Sequence, residues 1–536
     1  MRNQTLQMDD TLKIQMYQLS LPMDVSMIIE ADASVRTMLE ITERMDYSKL
    51  NASYDRHPHM TEVSPKQMFQ LVILGFMEGK HTTRALEDAS RYDTRFMLIR
   101  GNKRVPDHNR FWSFIKHRLQ GEVAEHLFYQ LVEYLLEAGE INLANLFVDG
   151  TKIEANANKY SFVWAKSTGK YELRLDMKLS ELVARLANDY LEEIPSGTDA
   201  NGCLGILNGL KETKGICFVH GRGKRKHPLQ RDIELLETFL SRKTKYTKYN
   251  ETFKGRNSFS KTDPDATFMR MKDDHMRNGQ LKPGYNLQLG VEGEYVVGVD
   301  INEERSDVQC LLPLLKRMEN GMDGKKHTNI VADAGYESEE NYKALIAREQ
   351  VAYIKPQNYE KSKTRKHKTN IYLRENMPYD PQADTYTCPN GSHFISIYTT
   401  TRKSTSGFKS EITVYECQGC GTCPRKKDCT KAKENRQIRI SKDFLALRQA
   451  SRERITSPQG TELRINRSIQ AEGAFGNMKQ NYGFRRYLRR GKENVFTETL
   501  LYAIAYNINK YHQKLLKHKH KNHQVSSVTY HTFKAA

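Results

Sequence analysis

Two stretches far apart in the chain share one plan, and that plan limits the fold more than any other feature. In Leu146-Phe147-Val148-Asp149-Gly150 and in Ile330-Val331-Ala332-Asp333-Ala334-Gly335-Tyr336, a short apolar run ends in an aspartate with a glycine within two residues. Each reads as a buried strand that delivers a carboxylate at its C-terminal end, where the chain turns. Open sheets flanked by helices place their sites along that edge. A third acid has a different setting. Ile465, Ile469, Glu472 and Phe475 recur at helical spacing, which puts Glu472 on the apolar side of a predicted helix. A carboxylate on a core-facing stripe is costly unless it is paired or holds a cation. Taken singly, each acid reads more simply as a solvated strand or helix end. Together, on a basic chain, they suit hard divalent cations, which take oxygen ligands and act on phosphodiesters.

With 536 residues there is room for two to four domains. The formal net charge of +19 favours a polyanionic partner, nucleic acid before any other. No apolar run approaches a membrane span, and Met1-Arg2-Asn3-Gln4 opens no signal peptide, so a cytoplasmic protein is expected. Five of the eight cysteines fall between Cys388 and Cys429. In a reducing compartment such a cluster points to metal rather than disulfides.

Ser64-Pro65-Lys66-Gln67 offers an N-cap serine, a proline at the first helical position and a capping-box glutamine, so a helix starts there. Further short helices are expected from Thr82 or Thr83 and from the stretch Val105–Trp112. Short helices with basic linkers suit a DNA-binding module or, equally, a plain helical packing unit. Charged helices at about 170–195 and 228–256 interrupt the sheet that Asp149 begins. The sheet resumes in a hairpin, 284–291 and 295–299, with Glu292-Gly293 as its turn. A helix near 308–318, the strand ending at Asp333, a helix at 339–348 and a strand at 351–354 follow. Strand, hairpin, helix, strand, helix, strand and an acid-bearing helix is the order of an RNase H-like α/β fold, a mixed sheet with flanking helices. Asp300 also ends a strand and competes for the second acid. Asp333 is preferred because its strand is expected to be central.

Residues 361–440 break the pattern. They hold Cys388-Pro389-Asn390-Gly391, then Cys417, Cys420, Cys423 and Cys429. Two overlapping CxxC pairs and a distant knuckle fit one tetrahedral zinc, structural because four thiolates leave no open position. Cys388, Cys420, Cys423 and Cys429 are assigned as its ligands, with Cys417 left out. From Phe484 to Lys492 basic pairs alternate with aromatic and apolar residues. Lys479, Arg485, Arg486, Arg489 and Arg490 are the candidate phosphate contacts. Leu500, Leu501, Ile504, Ala505 and Ile508 form a closing helix, and the basic, His-rich tail after it is expected to be disordered. The expected divisions are an N-terminal segment (1–55), a helical DNA-binding domain (56–135) and an α/β core (136–360 and 441–515). The core is interrupted by a helical insert (about 165–280) and by a small zinc-binding insert (361–440), and a basic tail (516–536) closes the chain.

These motifs resemble those of bacterial insertion-sequence transposases of the DDE class. FVDGTKIEANANKYSFVW resembles the first-acid block of the group with a cysteine-bearing insert, ADAGY the second and AEGAFGNMK the third, with six residues between Glu472 and Lys479. HPHM, LGFMEGKHTTRALEDAS and PDHNRFW resemble the helical N-terminal domain of these enzymes. The wider superfamily often places Tyr and Arg seven and four residues ahead of the Glu. Here Ile465 and Ser468 stand there, and Arg464 and Arg467 are offset. The resemblance spans about residues 20–515. It implies that Asp149, Asp333 and Glu472 hold two magnesium ions, with manganese as a substitute. It implies cleavage of double-stranded DNA at the element ends, attack of the freed 3′ hydroxyl on target DNA, and a homo-oligomer in the synaptic complex. No nucleotide cofactor is expected, since one phosphodiester is exchanged for another and no P-loop motif is present. The alternatives are an RNase H-like nuclease or domesticated relative without strand transfer, and a non-catalytic zinc-containing DNA-binding regulator. The presence of all three acids weighs against the regulator.

Overall fold

The computed structural model describes residues 24–55, 62–195, 197–221, 223–271 and 279–532, with side chains to residue 518. The first 23 residues and the His57-Pro58-His59-Met60 motif lie outside them. A six-stranded mixed sheet forms the centre of an α/β architecture. Its strands are β1 (Asn145–Glu154), β2 (Thr267–Arg270), β3 (Leu281–Glu292), β4 (Tyr295–Asn302), β5 (Asn329–Ala332) and β6 (Val351–Ile354). β3 runs antiparallel to β1, and β2 and β4 follow one another along the opposite edge of β3. β5 lies parallel to β1, and β6 parallel to β5. Across the sheet the order is therefore β4-β3-β1-β5-β6. The inner strands are apolar on both faces because helices cover both: Leu146, Val148, Ile330 and Val331 have no exposure.

The β3–β4 hairpin turns on Gly293 and Glu294, one residue later than expected, both with positive φ (60° and 69°). That is the backbone of a two-residue turn whose twist matches the strands. Helix Leu311–Gly321 lies against β4 and β3 at close range. A β-carbon added at Gly298 would stand 2.3 Å from Met318 Sδ, so any larger residue there would force Met318 to move. The closing helix, Lys492–Thr532, covers β4 with Leu500, Leu501, Ile504 and Ile508, all buried. Each such side chain contributes about 1.5–3 kcal/mol on leaving water. Asn507 pins the helix to β4, accepting from Val296 N (2.9 Å) and donating to Val296 O (2.7 Å). The tail expected to be disordered continues this helix to Thr532, consistent with its Lys, Leu and Gln content.

Helix Pro65–Met77 starts with the capping box read from the sequence: Ser64 and Gln67 bond reciprocally. It packs on the closing helix, and the helices between residues 34 and 137 share one continuous apolar core with the sheet. The helical insert has a core of its own. Ala165–Asp189, Ala200–Thr213 and Pro228–Phe253 meet around Leu186, Cys203, Leu207, Ile233 and Leu236. Its middle helix is absent from the sequence expectation because Gly202, Gly205 and Gly209 obscure the helical pattern. Residues 379–440, within the expected small insert, contain a five-stranded antiparallel sheet that the sequence reading does not place. In its long hairpin, His393–Lys403 and Lys409–Cys417, the first strand is exposed on both faces apart from Phe394, and its apolar residues do not keep to one face.

Candidate active site

β1 does not end at Asp149; it runs on to Glu154. Its parallel pairing with β5 stops at Val148↔Ala332, while its antiparallel pairing with β3 continues to Glu154↔Gly284. Asp149 is therefore the first residue of β1 with one flank open, and Asp333 is the first residue beyond β5. The register sets these two acids side by side. Asp333 Oδ1 accepts the Gly335 N–H (2.8 Å), which folds the chain into the short 3-10 turn Ala334–Tyr336. Asp149 Oδ1 accepts the Gly150 N–H (2.8 Å).

The glycines serve a purpose other than the turn read from the sequence. Neither has a positive φ. A β-carbon at Gly150 would stand 2.5 Å from Gln288 Nε2 and 3.1 Å from Asp307 Oδ1. One at Gly335 would stand 2.9 Å from Asp333 Oδ1 and 3.4 Å from Asp307 Oδ2. The two glycines are the floor between carboxylates, and a side chain on either would fill it. Tyr336 is buried beneath, its hydroxyl donating to Gln288 Oε1. Burial, then Asp307, Asp149 and Asp333 in that order, raise this phenol far above its ordinary range. Asp307 was not among the residues expected here.

Glu472 stands elsewhere. Helix Pro458–Gly476 lays Leu463, Arg467, Ala471 and Ala474 toward the sheet. Ile465 and Ile469, 57% and 61% exposed, form its outer face, and Glu472 is exposed with them. Of the stripe read as core-facing only Phe475 is buried; Ile465, Ile469 and Glu472 face outward, and the helix packs inward through Leu463, Ala471 and Ala474 as well. Arg467 takes the inner position, with Nη1 3.4 Å from Asp149 Oδ2. The competing acid, Asp300, is buried and neutralised: it accepts Arg317 Nε (3.1 Å) and Asn302 Nδ2 (2.8 Å).

Beyond this helix a π turn, Asn477–Asn481, holds Lys479. The chain then docks on the end of β1, with Tyr487 N–H donating to Glu154 O (2.9 Å) and Glu154 N–H to Arg485 O (3.3 Å). Phe484 and Tyr487 are the buried anchors. Glu154 lies roughly 17 Å along the strand from Asp149 at about 3.3 Å per residue. The arginines are thus farther from the acids than expected. Arg485, Arg486 and Arg490 are exposed, bonded to Gln480 (2.8 Å), Ala157 O (3.2 Å) and Asn156 O (2.7 Å). Arg489 turns inward beside Glu498, its Nε enclosed and without a hydrogen-bond partner. Glu498 accepts the N–H groups of Leu488 and Arg489 (3.0 Å each), yet burial still pushes its carboxyl up to about 7. The sequence places no acid near these arginines before Glu493; the fold brings Glu498 to Arg489.

All five clustered cysteines line one small cavity. Cys417, set aside on sequence grounds, is buried within bonding range of Cys420 and Cys388. Burial first, and then those two thiols, push its own thiol upward. Asn390 N–H donates to Cys388 Sγ (3.4 Å), Arg436 N–H to Cys420 Sγ (3.5 Å) and Arg436 Nη1 to Cys429 Sγ (3.0 Å). Among the described residues no three His, Cys, Asp or Glu side chains stand in metal-holding geometry. Carboxylate oxygens are donors of the kind a hard divalent cation takes, and thiolates donors of the kind zinc takes.

Residues 387–512 match a family model described as Transposase DDE domain, and residues 24–117 match Transposase domain (DUF772). No curated protein and no solved structure matches the chain. Among the described residues no helix is long and apolar enough to cross a membrane.

Proposed function

On the matches of residues 387–512 and 24–117 to transposase domains, we propose that the chain is an insertion-sequence transposase of the DDE class, one that cuts DNA at the ends of a mobile element and joins them to target DNA. The reading is carried by the match of residues 387–512, the stretch holding Glu472, to a transposase DDE domain. The strand order β4-β3-β1-β5-β6, antiparallel on one side of β1 and parallel on the other, supports an RNase H-like core. Asp149, Asp333 and Glu472 are the acids that would hold divalent cations, magnesium before manganese. When bound, such ions activate the attacking oxygen and stabilise the leaving oxygen of a phosphodiester. Asp149 and Asp333 supply adjacent carboxylates over an open floor, and Glu472 stands on a helix face accessible to DNA. The cysteine cavity would hold a structural zinc. Two ends processed together call for a homo-oligomer.

A strand-transfer assay tests the reading. DNA from either flank of the gene is incubated with the protein, magnesium and a plasmid. Joined product is the expected outcome. Cutting without joining would make the protein a nuclease, and binding without cutting a regulator.

Lys479, Arg485, Arg486 and Arg490 are the proposed phosphate contacts, and Arg489, turned inward, is withdrawn from that set. Arginine suits the task because its planar fork meets phosphate with two hydrogen bonds. Alanine at both Arg485 and Arg490 should weaken binding to end and random DNA by a similar factor. The slope of log K against log salt should flatten by about 0.9 per lost contact. An unchanged slope with lost end preference would make the segment a base reader.

A further inference from the structure

We propose that the helical insert binds a single strand of DNA in the groove between its first and third helices. The proposal rests on the reading of the chain as a protein that acts on DNA. Helices Ala165–Asp189 and Pro228–Phe253 pack against each other, and a groove of about 470 Å³ opens between them. Its walls repeat at helical spacing: Tyr171, Arg174 and Lys178 on the first helix, Phe239, Arg242 and Tyr246 on the third. Arg174, Lys178 and Arg242 are exposed, and among the described residues they make no hydrogen bond or ion pair. Two acids of the first helix are committed outside the groove: Asp176 accepts Lys243 Nζ (2.9 Å) and Glu172 accepts Asn250 Nδ2 (2.7 Å). Glu181 is the one acid among the lining residues, so the groove keeps a net positive charge that suits phosphate.

The aromatic rings select the form of the DNA. A duplex keeps its bases stacked inside and would use the cations alone. Tyr171, 53% exposed, and Tyr246, half-buried, stand one helical turn from Arg174 and Arg242. Ring faces interleaved with cations are the arrangement that holds a strand whose bases are free to stack. The place of the insert agrees. Its root strands, Phe162–Trp164 and Ser258–Ser260, pair with each other just before the first helix and just after the third. The chain leading into that root carries Asn156 and Ala157, whose carbonyls accept Arg490 Nε (2.7 Å) and Arg486 Nη2 (3.2 Å). At about 1.5 Å per residue, Tyr246 and Arg174 lie roughly 10 and 14 Å along their helices from the root. The groove and the proposed phosphate contacts thus rise from one place at the end of β1.

The test uses the full-length protein and an oligothymidylate carrying one 5-iododeoxyuridine, a base that cross-links to aromatic rings under ultraviolet light. Mass spectrometry should find the cross-link on Tyr171 or Tyr246. In fluorescence anisotropy with the same strand, Tyr171→Ala should weaken binding about fivefold or more, the scale of one lost stacking contact, and keep the salt slope. Tyr171→Phe, which keeps the ring, should bind like the parent. Alanine at both Arg174 and Arg242 should flatten the slope by about 0.7 per lost contact. A duplex of equal length should bind Tyr171→Ala as tightly as the parent. Cross-links only outside the insert, or single-strand affinity unchanged in both alanine variants, would overturn the proposal and leave the chain a DNA-acting protein. Equal losses on duplex and single strand in Tyr171→Ala would also overturn it. A parent protein that held neither form of DNA would overturn the transposase reading, and this proposal with it.

Discussion

Asparagine at Asp149 or Asp333 should abolish the proposed metal-dependent cleavage and strand transfer while DNA binding survives. Each change removes the charge of a cation ligand and keeps its shape. A cation at a reacting phosphodiester is worth several kcal/mol, so a fall of about three decades, near 4 kcal/mol, is the expected scale. The matched control is Asp300→Asn. That residue also ends a strand, but its carboxylate is committed to Arg317. Its loss should lower stability without a comparable fall in the rate of cleavage by the folded protein. Glu472→Gln is the more revealing third variant, because Glu472 is exposed on the outer face of its helix. It should fail in cleavage as severely as the aspartate variants and fold as well as the parent, surface substitutions being nearly neutral for stability. Cleavage within tenfold of the parent in any of the three would remove that residue from the centre.

The parts of this centre that were legible in the sequence are those written in local pattern. An apolar run closed by Asp and Gly marked β1 and β5, and the register then set Asp149 beside Asp333. The hairpin, the strand Val351–Ile354 and the capping box at Ser64 were equally local. What escaped was what depends on which neighbour an element meets. Asp307 sits in a short turn with no periodicity, and only the pairing of β3 with β1 brings Asn286 and Gln288 to it. The stripe of Ile465, Ile469 and Glu472 has true helical spacing. Periodicity identifies a face but cannot say which face is inside, and here Ala471 and Ala474 won the inner place. Arg489 was misjudged for a related reason: Glu498, nine residues on in the closing helix, lies directly against it in space.

Zinc removal should have the other large effect, and a local one. The sheet of residues 379–440 has a small apolar core, chiefly Tyr386, Phe394, Tyr415, Ile438 and Ile440, completed by Cys417 and Cys420 themselves. So little buried area rarely stabilises a unit of this size unaided. Structural zinc contributes about 10–16 kcal/mol of apparent binding energy at neutral pH, and that energy appears as folding energy. The purified protein should carry about one zinc per chain. In Cys420→Ser metal analysis should show it gone, and limited proteolysis should open residues 379–440 while the central sheet stays protected. Zinc retained in Cys420→Ser would overturn the site. The single serine variants also settle the ligand set, since five thiols face the cavity and four positions exist. Cys417 is buried against Cys388 and Cys420, whereas Cys429 already accepts a hydrogen bond from the Arg436 guanidinium. The geometry therefore favours loss of zinc in Cys417→Ser and its retention in Cys429→Ser. The reverse pair of results would restore the set read from spacing, Cys388, Cys420, Cys423 and Cys429.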